Sequence, residues 1–222
     1  MDENRKGIVR DKLMQGVDIA LQKSSEISLS YVDSVRRRRP DASPHEVARS
    51  LERTFLATVT GSGAAVGAAA AAPGVGTGAA LAISGGEAVG FMTAASGLII
   101  SLAGVHGIEV REIERRRTLL MATLLGNSGT EFVRKAADRT GAHWGRLVVE
   151  AIPMQHIRAV NKVLGKNFVT KYGTKQGILV LGKAVPFGIG SAIGGVGNFT
   201  FGQLTVRGAR TAFGELPGEW TW

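Results

Sequence analysis

From Thr54 to Gly86 the chain runs for 33 residues without an ionisable side chain. A single acid, Glu87, interrupts the run. Ala88 to Ile108 then adds 21 residues whose only titratable group is His106. A 55-residue block with one formal charge has to leave water, either for a protein core or for a bilayer, because burial of apolar surface is the dominant favourable term in both. Basic blocks flank it. Residues 1–53 carry 11 Lys or Arg against 9 Asp or Glu, and residues 109–175 carry 13 against 6. A third charge-free run, Ala184 to Val206, has 23 residues but contains Pro186 and six glycines, so it reads as a broken or interfacial helix.

Composition narrows the choices. Gly is 31 of 222 residues and aromatics are 6%, yet apolar residues are 44%, too many for a disordered polar tail. The glycines follow no three-residue period, which excludes collagen. With no Cys, the chain can form no disulfide, thiolate metal site or Cys nucleophile. No basic segment followed by an apolar core opens the sequence, so no secretory signal is expected.

The apolar periodicity is helical. Leu13, Val17 and Leu21 step by four, as do Ile27, Tyr31 and Val35, which predicts a helix over residues 4–35. Arg36-Arg37-Arg38-Arg39-Pro40 ends it. Ser43-Pro44-His45-Glu46 is a capping box with proline at the first helical position, so a second helix starts at 44 and carries Val47, Leu51 and Phe55 into the apolar block. Pro73 followed by Gly74, Gly76 and Gly78 predicts a turn, and Ala79 to Val105 a return helix. Further helices are expected at 109–125, at 130 to about 140, around 144–151 and at 154–168, where Ile157, Val160, Leu164 and Phe168 oppose Arg158, Lys162 and Lys166. No alternating run argues a sheet. The expected class is all-α, a helical bundle containing a Gly/Ala-rich apolar helical hairpin. It divides into a basic helical region (1–53), the hairpin (54–108), and a second basic helical region with the apolar Gly-rich segment 184–206 (109–222).

Catalytic and ligand motifs fail on inspection. The glycine turn is followed by Ala79-Ala80-Leu81, where a phosphate loop needs Lys and Ser or Thr. His45, His106, His143 and His156 have no ligand spacing, so no metal and no cofactor is expected. No G-x-S-x-G elbow is present. Glu109, Glu112 and Glu114 lie beside arginines and read as ion pairs on a helix. An enzyme would have to use Glu87 or Asn198, the two polar residues that stand out in the apolar runs. Both are marked as buried polar candidates, although Glu87 also suits a position beside the turn.

Two features point to lipid. Gly86, Gly90, Gly97 and Gly104 share one helical face, and Gly63 and Gly67 form a second small-xxx-small pair. Such faces let helices approach closely in lipid, and in water too, so they are read as helix-packing residues and as a route to a homo-oligomer. The clusters Arg36, Arg37, Arg38, Arg39 and Arg115, Arg116, Arg117 stand at the two feet of the hairpin. They are read as facing anionic membrane lipids from the cytoplasmic side. Trp220 and Trp222 suit interfacial anchors. Basic residues are not interleaved with aromatics, so nucleic acid is not expected.

The stretch from Lys183 to Phe199, with its proline, Gly-rich apolar run and Asn198-Phe199 pair, is followed by Arg207 and Ala209-Arg210. Together with Gly61 to Gly78 and Glu114-Arg115-Arg116-Arg117, it resembles the EcsC protein family over roughly residues 50–214. Members of that family are named for linkage to an ABC-transport operon, and the resemblance implies no catalytic residues. The combined expectation is a non-enzymatic, membrane-associated helical protein at the cytoplasmic membrane, supporting an envelope or transport complex. The rival reading is a soluble all-α interaction module with a close-packed Gly/Ala core.

Overall fold

The computed structural model describes residues 3–70, 77–137, 143–183 and 189–220. Within them the chain is all-α: α1 (Glu3–Arg38), α2 (Pro44–Ala70), α3 (Thr77–Val105), α4 (Ile113–Leu125), α5 (Asn127–Ala137), α6 (Trp144–Glu150), α7 (Met154–Lys183) and α8 (Ile189–Phe213), with no strand among the described residues. The glycine turn at 73–76, Pro186 and Trp222 lie outside that set.

The start of α2 follows the capping box. Ser43 N–H donates to Glu46 Oε2 at 2.9 Å, and Glu46 N–H donates back to Ser43 Oγ at 3.3 Å, so two of the orphan donors at the helix start are satisfied reciprocally. The Ser43 backbone N–H and hydroxyl, which both donate to Glu46 Oε2, and then the nearby Arg39 and Arg49 hold the exposed Glu46 carboxyl below its ordinary pKa. The expected charged helix from 109 begins later, at Ile113. Glu112 is extended (φ −78°, ψ 130°), and Val110 in this stretch is fully buried. Gly126 takes φ 63°, which turns the chain sharply enough for α5 to start at the very next residue, Asn127.

The hairpin forms, and it becomes the middle of the bundle. α2 and α3 run antiparallel, with Phe55 and Phe91 edge to face at a centroid distance of 6.0 Å. α1 lies parallel to α3. Gly16 meets Met92, Ser24 shares a hydrogen bond with Ser96 at 2.8 Å, and Gly104 meets Val32, so both chains advance together. α8 runs antiparallel to α2, pairing Arg210 with Glu52, Gly202 with Leu56 and Gly194 with Gly63. α4 and α7 close the other side, where Asn161 Nδ2 donates to Glu114 Oε2 at 2.6 Å and Thr118 hydrogen-bonds Asn161 Oδ1 at 2.7 Å.

One helix among the described residues is long and apolar enough to cross a bilayer. It is Gly85–Val105, 21 residues of mean hydropathy 1.9, and 61% of its most apolar window is already buried inside the protein. Phe91, Met92, Ala95, Leu98, Ile99, Leu102, Ala103 and Val105 are each at most 4% exposed. Each large side chain buried this way contributes about 1.5–3 kcal/mol. The apolar composition of the C-terminal half of α3 is therefore used up by protein neighbours.

A candidate lipid-facing end and its polar clasp

Charge stops at one level on the α2–α8 pair. Arg53 on α2 and Arg207 on α8 are exposed, and the antiparallel register set by Glu52–Arg210 and Leu56–Gly202 places them at one level along the pair. Beyond them, toward Ala70 on α2 and Gly194 on α8, the exposed residues are uncharged. On α2 they include Ala57, Gly61, Ala65, Ala68 and Ala69. On α8 they include Val196, Phe199 and Leu204, which are 67%, 44% and 48% exposed. Seventeen residues of helix from Thr54 to Ala70 extend about 25 Å. Two of the three charge-free runs thus pack along one another, and the N-terminal half of α3 joins them through Glu87.

Glu87 and Asn198, marked separately in the sequence, meet. Asn198 is 2% exposed, and its Nδ2 donates to Glu87 Oε1 at 2.7 Å and to the carbonyl of Val59 at 2.9 Å. One amide therefore ties α2, α3 and α8 together in the uncharged end. Asn suits the position because its NH2 carries two donors on one nitrogen, one for the carboxylate and one for the backbone. A hydrogen bond to an ionised group contributes about 1.5–3 kcal/mol, so removing this donor is costly. Gly63 makes the junction possible. A Cβ there would stand 2.5 Å from the Gly194 carbonyl and 2.6 Å from Asn198 Nδ2.

The other glycines expected to pack helices divide. Gly67 is buried. Gly104 meets Val32 at an ordinary 3.6 Å. At Gly86, Gly90 and Gly97 no described atom lies within 4 Å of where a Cβ would stand. Among the described residues these three do not pack closely against a helix. They form the floor of a groove of about 510 Å³, with α1 and α2 as its walls. Spacing alone shows that a helix face is smooth; it does not show whether a neighbour lies on it.

The arginine clusters also divide, and one expectation is corrected. Arg115, Arg116 and Arg117 do not present a lipid-facing surface. Arg116 is 8% exposed and donates Nε to the Val110 carbonyl at 2.8 Å, and burial holds its pKa below the ordinary guanidinium value. Arg115 donates to the carbonyls of Val148 and Ile152. Arg117 pairs with Asp18 at 2.6 Å and Glu114 at 2.8 Å. Arg115 and Arg116 satisfy backbone carbonyls and Arg117 joins α4 to α1, a use that a run of like charges does not reveal. Arg36 stacks over Trp220, 4.5 Å from the ring centroid, and the Trp220 indole N–H donates to the Ala42 carbonyl at 2.9 Å. Trp220 is therefore a clamp on the α1–α2 corner, where the sequence suggested a membrane anchor. Arg37, Arg38 and Arg39 remain exposed.

Glu109, Glu112 and Glu114 pair with Arg111, Arg115 and Arg117, as their sequence neighbours suggested. Among the described residues no group of three His, Asp or Glu side chains is placed to hold a metal ion. Searches of protein-family models, of curated proteins and of solved structures returned no match to this chain.

Proposed function

We propose that this is a non-enzymatic, membrane-associated protein that lays the uncharged end of the α2–α8 pair into the bilayer and keeps its charged belt at the headgroups. The observation that carries the reading is the shared level at which charge ceases, with Val196, Phe199 and Leu204 outward beyond it. Arg39, Arg49, Arg53 and Arg207 stand at or behind that level, where each basic residue near an anionic surface contributes about 1 kcal/mol. The clasp of Glu87 by Asn198 suits this setting, since an acid at the apolar end needs a partner. In this reading the belt lies on the cytoplasmic side of the cytoplasmic membrane, and the role is support of an envelope or transport complex, in keeping with the resemblance to the EcsC family.

Flotation with vesicles tests it. The protein is expected to float with vesicles containing anionic phosphatidylglycerol, and Val196→Asp/Phe199→Asp/Leu204→Asp is expected to stay at the bottom with an unchanged helical spectrum. Equal flotation of the triple variant would contradict the reading. The burial of 61% of the α3 window favours the second reading, a soluble all-α interaction module. That reading predicts no flotation of either protein.

A further inference from the structure

The groove floored by the α3 glycines has the shape and charge pattern of a site for one amphiphile. It runs from Gly86 to Ser101 along α3, sixteen residues or about 24 Å of helix. Its volume of about 510 Å³ falls in the range of small-molecule sites. Gly86, Gly90 and Gly97 provide a smooth floor, and Leu51, Phe55 and Leu98 give it apolar walls. Two of the five lining hydroxyls are already engaged. Thr93 Oγ1 is bonded to the Val89 carbonyl, and Ser24 Oγ is engaged by Leu21 and Ser96.

The ends differ. Toward Gly86 the groove runs beside the uncharged part of α2, while α1 carries the exposed Asp11 toward the same end. Toward α2's N-terminal half it adjoins a polar depression of about 330 Å³ that shares Thr54 with it and is lined by Arg39, Arg49 and Arg53, with Glu46 as the one carboxylate. Glu46 is engaged by Ser43, and among the described residues none of the three guanidiniums makes an ion pair with a carboxylate. Lys23 adds a fourth cation on the α1 wall. An apolar trough that opens onto three arginines with a single carboxylate among them is complementary to a molecule with an acyl tail and an anionic head.

We propose that the α1–α2–α3 groove binds a single-chain anionic amphiphile, its acyl chain on the Gly86–Gly90–Gly97 floor and its phosphate or carboxylate head against Arg39, Arg49 and Arg53. The inference does not rest on insertion of the α2–α8 end, since a monomeric amphiphile can enter from water. Its direction does agree with that reading, because head and belt lie at one end and tail and uncharged surface at the other.

The probe is oleoyl lysophosphatidic acid below its critical micelle concentration, titrated into the full chain by calorimetry, with monooleoylglycerol as the neutral-headed counterpart. Saturable binding of the first is expected, with the second at least about tenfold weaker. Gly90→Leu and Gly97→Leu, made separately, place side chains in the trough where no described atom stands in their way. Each is expected to weaken binding by about tenfold or more at an unchanged melting temperature. Arg49→Ala/Arg53→Ala is expected to bring the lysophosphatidic acid down to the level of the neutral lipid. Equal binding of the two lipids, or wild-type binding by both leucine variants, would overturn the proposal. Absence of saturable binding would overturn it as well and would leave the groove to a partner helix. The triple aspartate variant of α8 separates the two readings: it is expected to lose flotation yet still bind the monomeric probe.

Discussion

Two glycine-rich faces in this protein have similar spacing and opposite fates. On the α2–α8 seam, Gly63 faces the Gly194 carbonyl, Gly195 faces Ala64, and Gly202 faces Leu56 and Val59, all at or inside van der Waals distance of a hypothetical Cβ. On α3, Gly86, Gly90 and Gly97 have no described atom within 4 Å of a hypothetical Cβ. The seam needs glycine because two backbones approach one another and an amide must reach a carboxylate through the gap. The α3 face does not need glycine for its own fold, where each Gly costs the helix roughly 0.5–1 kcal/mol relative to Ala. Glycine retained without a packing neighbour is consistent with keeping a trough clear.

That contrast can be broken or sharpened by substitution. The largest effect is expected at Gly63. Gly63→Val should drive a side chain into the Gly194 carbonyl and Asn198, both held by helices, and cost about 3 kcal/mol or more in chemical denaturation. Asn198→Leu should follow, at about 2 kcal/mol, because Glu87 then loses the amide that faces it. Asn198→Asp should also destabilise, since a carboxylate would face Glu87 where an amide now donates. Gly202→Ala should cost about 1 kcal/mol, for the nearest atom is the end of the flexible Leu56 side chain, 2.8 Å from the new Cβ. Gly90→Ala should cost nothing and add up to about 1 kcal/mol through helix propensity. If Gly90→Ala were as damaging as Gly63→Val, the two faces would not differ and the groove would be closed in solution.

A further effect, independent of both faces, concerns His106 near the base of α3. Burial first, then Arg146 and His143, hold its pKa at about 4, below the ordinary 6.5. A depressed folded-state value means that the unfolded chain binds the proton more readily. Stability should be complete above pH 6.5 and fall as pH drops toward 4, by on the order of 1 kcal/mol after screening. His106→Gln should flatten that part of a thermal-stability profile.

Local signals in the sequence were a good guide to local structure. Ser43, Pro44 and Glu46 mark the start of α2 because a cap is made by residues three apart. The all-α class and the hairpin follow from periodicity and from the lack of any alternating run. Glu87 and Asn198 stand out as polar residues in apolar segments, but their contact joins positions 111 residues apart and no local rule pairs them. Arg115 to Arg117 mislead for the opposite reason. Their charge is visible in sequence, while the carbonyls of Val148, Ile152 and Val110 that receive them are not. The 184–206 run suggested a broken or interfacial helix. Its described part is the start of a continuous helix because Gly194, Gly195 and Gly202 are the residues that let it lie against α2.

The most direct test uses the absence of native cysteine. Single cysteines at Val196, Phe199 and Leu204, and as a control at Val163, which is 44% exposed between Lys162 and Lys166, can each carry an environment-sensitive fluorophore. On mixing with phosphatidylglycerol vesicles, the three α8 positions should shift to the blue and become accessible to a quencher in the acyl region, while position 163 should not change. Unchanged spectra at all three α8 positions would contradict a lipid-facing end.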